Sequence, residues 1–226
     1  MIQYCLVNNS HQVVDKISQN LIASLQQNDS ILWLLSGGSN INLEVAIMEQ
    51  IPADLTTKLT ISLIDERYGR FNHPDSNFFQ LIQANFQAKK AKLISVLDSK
   101  NLSLEKTVEN FEKKISLINQ QSTTIVQIGL GLDGHIAGIL PNSPAIKSPK
   151  TISAYNSQPF TRITFNLTTF KNFDQINLVA LDNSKKTILK QLHQSSSKNI
   201  DNFPANYLNE LNQVFVYNKW VGVNIS

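Results

Sequence analysis

Short apolar runs rich in β-branched residues recur along this chain, and segments of helical period fill most of the gaps between them. That alternation is the pattern of an α/β protein with a largely parallel sheet. The runs that read as strands are Gln3 to Val7, Ile31 to Leu35, Leu59 to Ile64, Lys92 to Leu97, Thr124 to Ile128, Arg162 to Leu167, Ile176 to Ala180 and Gln213 to Tyr217. The clearest helix is SLEKTVENFEKKISLIN, in which Ser103 can cap and Leu104, Val108, Phe111, Ile115 and Ile118 recur at spacings of four and three. Further helices are expected over His11 to Gln26, Ile41 to Gln50, Phe78 to Phe86 and Lys185 to His193. The expected fold is therefore an α/β open, largely parallel, Rossmann-like sheet flanked by helices.

One stretch interrupts the pattern. LPNSPAIKSPKTISAYNSQP, Leu140 to Pro159, holds four of the seven prolines and little periodicity, which predicts an ordered loop or a crossover rather than a helix. Strand-like sequence of the same composition resumes at Arg162, and neither flank reads as a complete domain, so residues 1–226 are expected to form one domain. A chain of this length can bury about 70% of the surface that it exposes when unfolded, which is ample for one core.

Charge and cysteine usage narrow the setting. The net charge of +3 comes from 20 Lys and Arg spread along the chain, which argues against nucleic acid as a partner. The densest basic stretch, Lys185, Lys186, Lys190 and Lys198, is either a solvated helix face or a contact for a small anion. The single cysteine, Cys5, cannot form an internal disulfide, and no ligand cluster points to a metal. The N-terminus lacks the basic and apolar regions of a leader, and no apolar run approaches the length of a membrane span. A cytoplasmic protein without a membrane partner and without a cofactor is the expectation, with a monomer favoured but the oligomeric state left open.

In open α/β sheets, ligands lie beyond the carboxyl ends of the strands, so the loops there are where chemistry is sought. The first is LLSGGSN, where Ser36, Gly37, Gly38 and Ser39 precede a helix: either an anion cradle of free N–H groups or a plain capped turn. The second is LIDERYGRFNHPDSN, in which Asp65, Glu66 and Arg67 leave an apolar strand together. Three such charges must be paired in a polar cleft or face water, and Asp75 or Ser76 can cap the helix that follows.

The third is IGLGLDGHIAGILPNSP. Gly129, Gly131 and Gly134 have the spacing of a dinucleotide fingerprint, but the context is wrong in three ways. Pro141 stops any long helix, no acidic residue lies between Asp133 and Asp174, and the loop follows the fifth candidate strand rather than the first. What remains is His135 at the mouth of the sheet with Asp133 beside it. A histidine there is either structural or a general base that takes a proton from water and returns it to a leaving oxygen.

Taken together, SGGS, DER followed by SN, and GLGLDGHIAGILP resemble the three motifs of the 6-phosphogluconolactonases, a branch of the group that includes glucosamine-6-phosphate deaminase and ribose-5-phosphate isomerase. RITFNL, LVALDNSKKTIL and FPANYL are similar to later family segments. The resemblance implies hydrolysis of 6-phospho-D-glucono-1,5-lactone to 6-phospho-D-gluconate, the lactonase step of the oxidative pentose phosphate pathway. It implies His135 as acid and base, Asp133 orienting it, Arg67 facing the carbonyl oxygen, and Asp65 and Glu66 organising Arg67 and the sugar hydroxyls. It also implies a phosphate held by Arg162, Lys185 and the Ser36, Gly37, Gly38, Ser39 turn, with Lys186 possible in place of Lys185.

The chain departs from the family pattern at Asn40-Ile41, Ile136, Gly138, Asp182 and Asn218. The first rival is a glucosamine-6-phosphate deaminase, which resembles GHIAFNEP with a glutamate five positions after the histidine. This chain has Leu140 there and Arg67 where deaminases carry tyrosine, both of which favour the lactonase. The second rival is a non-catalytic sugar-phosphate-binding protein. The related transcription regulators carry a helix-turn-helix, for which a first strand at Gln3 leaves no room.

Overall fold

In the computed structural model, which describes residues 2–119, 122–195 and 199–224, the apolar runs assemble as parallel strands. Lys198 lies outside the described residues. The main sheet contains β1 (Ile2–Leu6), β2 (Ile31–Leu35), β3 (Leu59–Leu63), β5 (Lys92–Leu93), β6 (Thr123–Gly129), β9 (Gln175–Ala180), β10 (Val214–Asn218) and β11 (Val223–Asn224). Their order is β11-β1-β10-β9-β6-β2-β3-β5, and every adjacent pair is parallel. All residues of β2 and β3 are buried, as expected where both faces of a parallel sheet are covered.

Helices α1 (Ser10–Gln27), α2 (Ile41–Gln50), α3 (Asn77–Gln83), α4 (Leu104–Asn119) and α5 (Lys186–Gln194) flank the sheet. The Asn9 side chain caps α1 by accepting from Gln12 N–H, and Ser76 caps α3 by accepting from Phe79 N–H. The stripe expected on α4 is core packing, with Phe111 and Ile115 buried and Phe111 edge-on to Phe165.

The larger departure from expectation is a second sheet. Strands β4 (Asp65–Arg67), β8 (Phe160–Phe165) and β7 (Ile152–Ser157) form an antiparallel sheet in the order β4-β8-β7. The proline-rich stretch thus contains a strand, paired with β8 as a hairpin. The run expected from Arg162 to Leu167 starts earlier, at Phe160, and lies outside the parallel sheet. Ile64 is the pivot between the two sheets: its N–H donates to Leu35 O at 2.8 Å, and its carbonyl accepts from Phe165 N–H at 3.2 Å.

The strand expected from Lys92 to Leu97 pairs with β3 only through Lys92 and Leu93. One further bond, Ile94 N–H to Ile61 O, extends the contact, and then Val96 and Leu97 turn into the core as irregular chain. Among the described residues, no helix is long and apolar enough to cross a membrane.

Candidate active site

The carboxyl ends of β2, β3, β6 and β9 open on a cavity of about 630 Å³, within the range of sites for small ligands. Of the residues singled out in the sequence, Ser36, Gly37, Gly38, Ser39, Asp65, Arg67, His135, Arg162 and Lys185 line it. Glu66, Asp133 and Lys186 are not part of that lining.

The loop after β6 explains its own glycines. Gly131 N–H donates to His135 O at 2.8 Å, closing a tight turn. The imidazole lies so near Gly131 that an added Cβ would fall 2.0 Å from Nδ1. Gly134 adopts φ +83°, and its Cβ position is occupied by the Phe203 ring, 2.5 Å away. Ala205 N–H donates to Gly134 O at 3.0 Å, so the FPANYL segment serves as a support behind the histidine turn.

Asp133 Oδ1 accepts from His135 N–H at 3.1 Å and lies 2.6 Å from His135 Nδ1. Burial alone would raise the Asp133 carboxyl, but the charge and hydrogen bonds of His135 hold it below the usual carboxylate range. An ionised carboxylate only accepts, so Nδ1 carries a proton, and in the neutral imidazole the lone pair is then on Nε2. Asp133 therefore lies against the imidazole without being part of the cavity lining.

The period of two in β4 divides Asp65, Glu66 and Arg67 between faces. Asp65 and Arg67 face the cavity with Arg162, which pairs with Arg67 across the strands. Both guanidinium carbons sit over the Phe160 ring, at 5.3 Å for Arg67 and 5.7 Å for Arg162. Arg67 Nη1 donates to Asp75 O at 3.0 Å, and Arg162 Nε donates to Ser157 Oγ at 2.9 Å.

Glu66 points the other way and is fully buried. It accepts from Arg67 N–H, Asn77 N–H, Phe78 N–H and Ser76 Oγ–H at 2.7, 2.7, 3.0 and 2.9 Å. It closes the start of α3 and bonds the backbone that carries Arg67, and it is not part of the cavity lining. Burial still pushes its carboxyl above the usual range despite these donors.

The Ser36–Ser39 turn opens α2 through a short 3-10 turn, Gly38–Asn40. The first N–H groups of such a start have no acceptor within the helix. Sequence reasoning missed three polar groups here. Asn40 and Asn42 line the cavity, and Glu44 sits beneath the turn with no exposed surface. The position of Glu44 in the first turn of a helix following Gly-Gly was the one available signal.

Asp65 is 5% exposed, 4.0 Å from Arg162 Nη1. Burial pushes its carboxyl up to about 7, against the opposing pull of Arg67 and Arg162 and with a smaller push from Glu66. The folded group keeps a proton that the unfolded chain releases near pH 4. Its contribution to stability is thus fully present at low pH and is lost as pH rises from about 4 through about 7. We expect the melting temperature of Asp65→Asn, measured relative to the parent, to rise between pH 5 and pH 8. A difference independent of pH would show that Asp65 is an ordinary carboxylate.

A family model for glucosamine-6-phosphate isomerases/6-phosphogluconolactonase matches residues 8–216. The chain belongs to this family. It is 28% identical over 214 residues to a probable 6-phosphogluconolactonase of Dictyostelium discoideum, covering 89% of this chain and 86% of that protein. It is 24% identical over 181 residues to the human 6-phosphogluconolactonase, covering 73% and 69%. The solved 6-phosphogluconolactonase of Thermotoga maritima superposes with a TM-score of 0.82 at 20% identity, covering 97% of this chain and all of that one. A monomeric glucosamine-6-phosphate deaminase superposes at 0.76, also at 20% identity, with 96% of each chain covered. The family's shared α/β fold is thus present here, and the distinction between the two activities rests on the site.

Proposed function

We propose that this chain hydrolyses 6-phospho-D-glucono-1,5-lactone to 6-phospho-D-gluconate. The observation that carries the reading is the Asp133–His135 pair, which sets the imidazole on a cavity wall shared with two arginines. His135 Nε2 takes a proton from water as the water oxygen bonds to the lactone carbonyl carbon. The tetrahedral intermediate holds negative charge on the former carbonyl oxygen, which Arg67 faces. Collapse breaks the bond to the ring oxygen, and the imidazolium returns its proton there, leaving a carboxylic acid and a free hydroxyl.

The phosphate end is held by Lys185, Arg162 and the backbone of Gly37 to Ser39. Lys185 lies in the 3-10 turn that leads into α5 and lines the cavity, whereas Lys186 is exposed outside it. Charge-assisted bonds of this kind contribute about 1.5–3 kcal/mol. Lys185→Ala is thus expected to raise KM by about tenfold to a hundredfold with little change in kcat. Lys186→Ala should leave both constants as they are, and the reverse ranking would exchange the two lysines.

Leu140 argues for the lactonase over the deaminase. It stands where the deaminases that this loop resembles carry a glutamate; its side chain is not part of the cavity lining and its N–H donates to Tyr155 Oη at 3.2 Å. The deciding experiment supplies freshly generated 6-phosphogluconolactone, couples product to phosphogluconate dehydrogenase and subtracts spontaneous hydrolysis. Glucosamine-6-phosphate is assayed alongside for ammonia. Lactone turnover without ammonia supports the reading. Ammonia alone would transfer the chain to the deaminases, and neither would make it a sugar-phosphate-binding protein.

A further inference from the structure

Beneath the Ser36–Ser39 turn lies a carboxyl that the proposed reaction does not use. Glu44 is in the first turn of α2 and has no exposed surface. Its Oε1 accepts from Ser36 N–H at 2.8 Å and from Ser36 Oγ–H at 3.0 Å. Ser36 Oγ in turn accepts from Asn40 Nδ2 at 3.1 Å, so a chain of hydrogen bonds runs from the cavity lining to the buried acid. The other oxygen, Oε2, is buried without a hydrogen-bond partner among the described residues.

We propose that Glu44 is a positioning residue of the anion cradle, and that the proton on its carboxyl sets how tightly the cradle holds a dianionic phosphate or sulfate group. This inference rests on the Ser36–Ser39 turn being the phosphate side of the proposed site. An ionised Glu44 and a bound dianion would draw on the same few backbone dipoles from opposite sides. Each therefore disfavours the other, and binding the dianion draws a proton onto Glu44.

The surroundings place that proton in a useful range. Burial raises the Glu44 carboxyl to about 7, more than its hydrogen bonds from Ser36 and the nearby Gly37 N–H lower it. The charged groups around α2 include His11, Asp15 and Lys16 on α1, Asp65 and Arg67 on β4, and Arg162 on β8, with His135 and Lys185 across the cavity, while Glu49 and Lys89 lie at its far, carboxyl end. Neither β2 nor α3 carries a titratable side chain. Of these groups, Asp65 acts on the Glu44 carboxyl, and it opposes ionisation. A buried oxygen with no donor favours the neutral form as well.

The sign follows from that arrangement. Below pH 7 Glu44 is neutral and does not oppose the anion; as pH rises through about 7 its charge appears and anion affinity falls. Glu44→Gln keeps an acceptor for Ser36 but can never be charged. Glu44→Leu removes the acceptor and leaves Ser36 N–H unpaired beneath the turn.

Calorimetric titration with sulfate, which stays a dianion throughout, tests both halves on the intact chain at pH 6 and pH 8.5. Glu44→Gln is expected to match the parent at pH 6 and to bind about tenfold more tightly at pH 8.5. Glu44→Leu is expected to bind more weakly than Glu44→Gln at both values. A Glu44→Gln curve that follows the parent at both values overturns the role of the proton. Equal binding by the Leu and Gln variants overturns the positioning role. Should Glu44→Leu fail to fold, the Gln variant alone decides the first half. Sulfate binding does not depend on turnover, so a protein that leaves the lactone intact but shows this difference would lose the proposed reaction and keep the inference.

Discussion

A His135→Ala variant is expected to lose between about 10²- and 10⁴-fold in kcat, the range in which a positioned acid–base group contributes. KM for the lactone should change little, because the phosphate contacts assigned to Lys185 and Arg162 arise on other elements, the turn before α5 and β8. The rate that remains is what binding and the arginines provide. Asp133→Asn should fall between the parent and the alanine variant, since an amide oxygen can still accept from Nδ1 but no longer supports a charged imidazolium. The measurement is a pH–rate profile of each variant after subtraction of the uncatalysed reaction. A His135→Ala enzyme with the parent's profile would remove the histidine from the chemistry and turn attention to Asp65.

The second large effect concerns stability. Glu66→Ala leaves Arg67 N–H on β4, and Asn77 N–H, Phe78 N–H and the Ser76 hydroxyl at the start of α3, without their acceptor. Each buried donor so orphaned costs about 1–3 kcal/mol, less whatever entering water restores. A net loss of about 3–5 kcal/mol is expected, which in a chain of this size lowers Tm by roughly 10 °C. Glu66→Gln, which keeps one acceptor oxygen, should lose about half as much. Scanning calorimetry of the three proteins checks the order, and an alanine variant as stable as the parent would mean that the four bonds are worth no more than those to water.

The parallel strands were legible because burial on both faces leaves a continuous apolar run, as in ILWLL from Ile31 to Leu35. The histidine turn was legible because close packing demands glycine at Gly131 and Gly134 and nothing else satisfies it. By contrast, β7 reads ISAYNS, half-buried and without a clear apolar alternation, so the sequence carries almost no signal for it. The roles of Glu66 and Glu44 were hidden for a different reason. Their partners are largely backbone N–H groups, which every residue has, so no complementary side chain marks them in the sequence. The division of Asp65 from Glu66 needed the knowledge that these residues are a strand. Three charges in a row gave no hint of that, since propensity alone places them in a loop.

The antiparallel pairing of β4 with β8 bears on how the protein matures. Arg67 and Arg162 become neighbours only when two segments far apart in the chain have met, and long-range pairing of that kind is slow to form. The local α-helices and the β2–β3 pairing can assemble before it. During refolding, helical signal should therefore return ahead of anion binding, and catalytic competence should be gained in the last step that joins the two sheets.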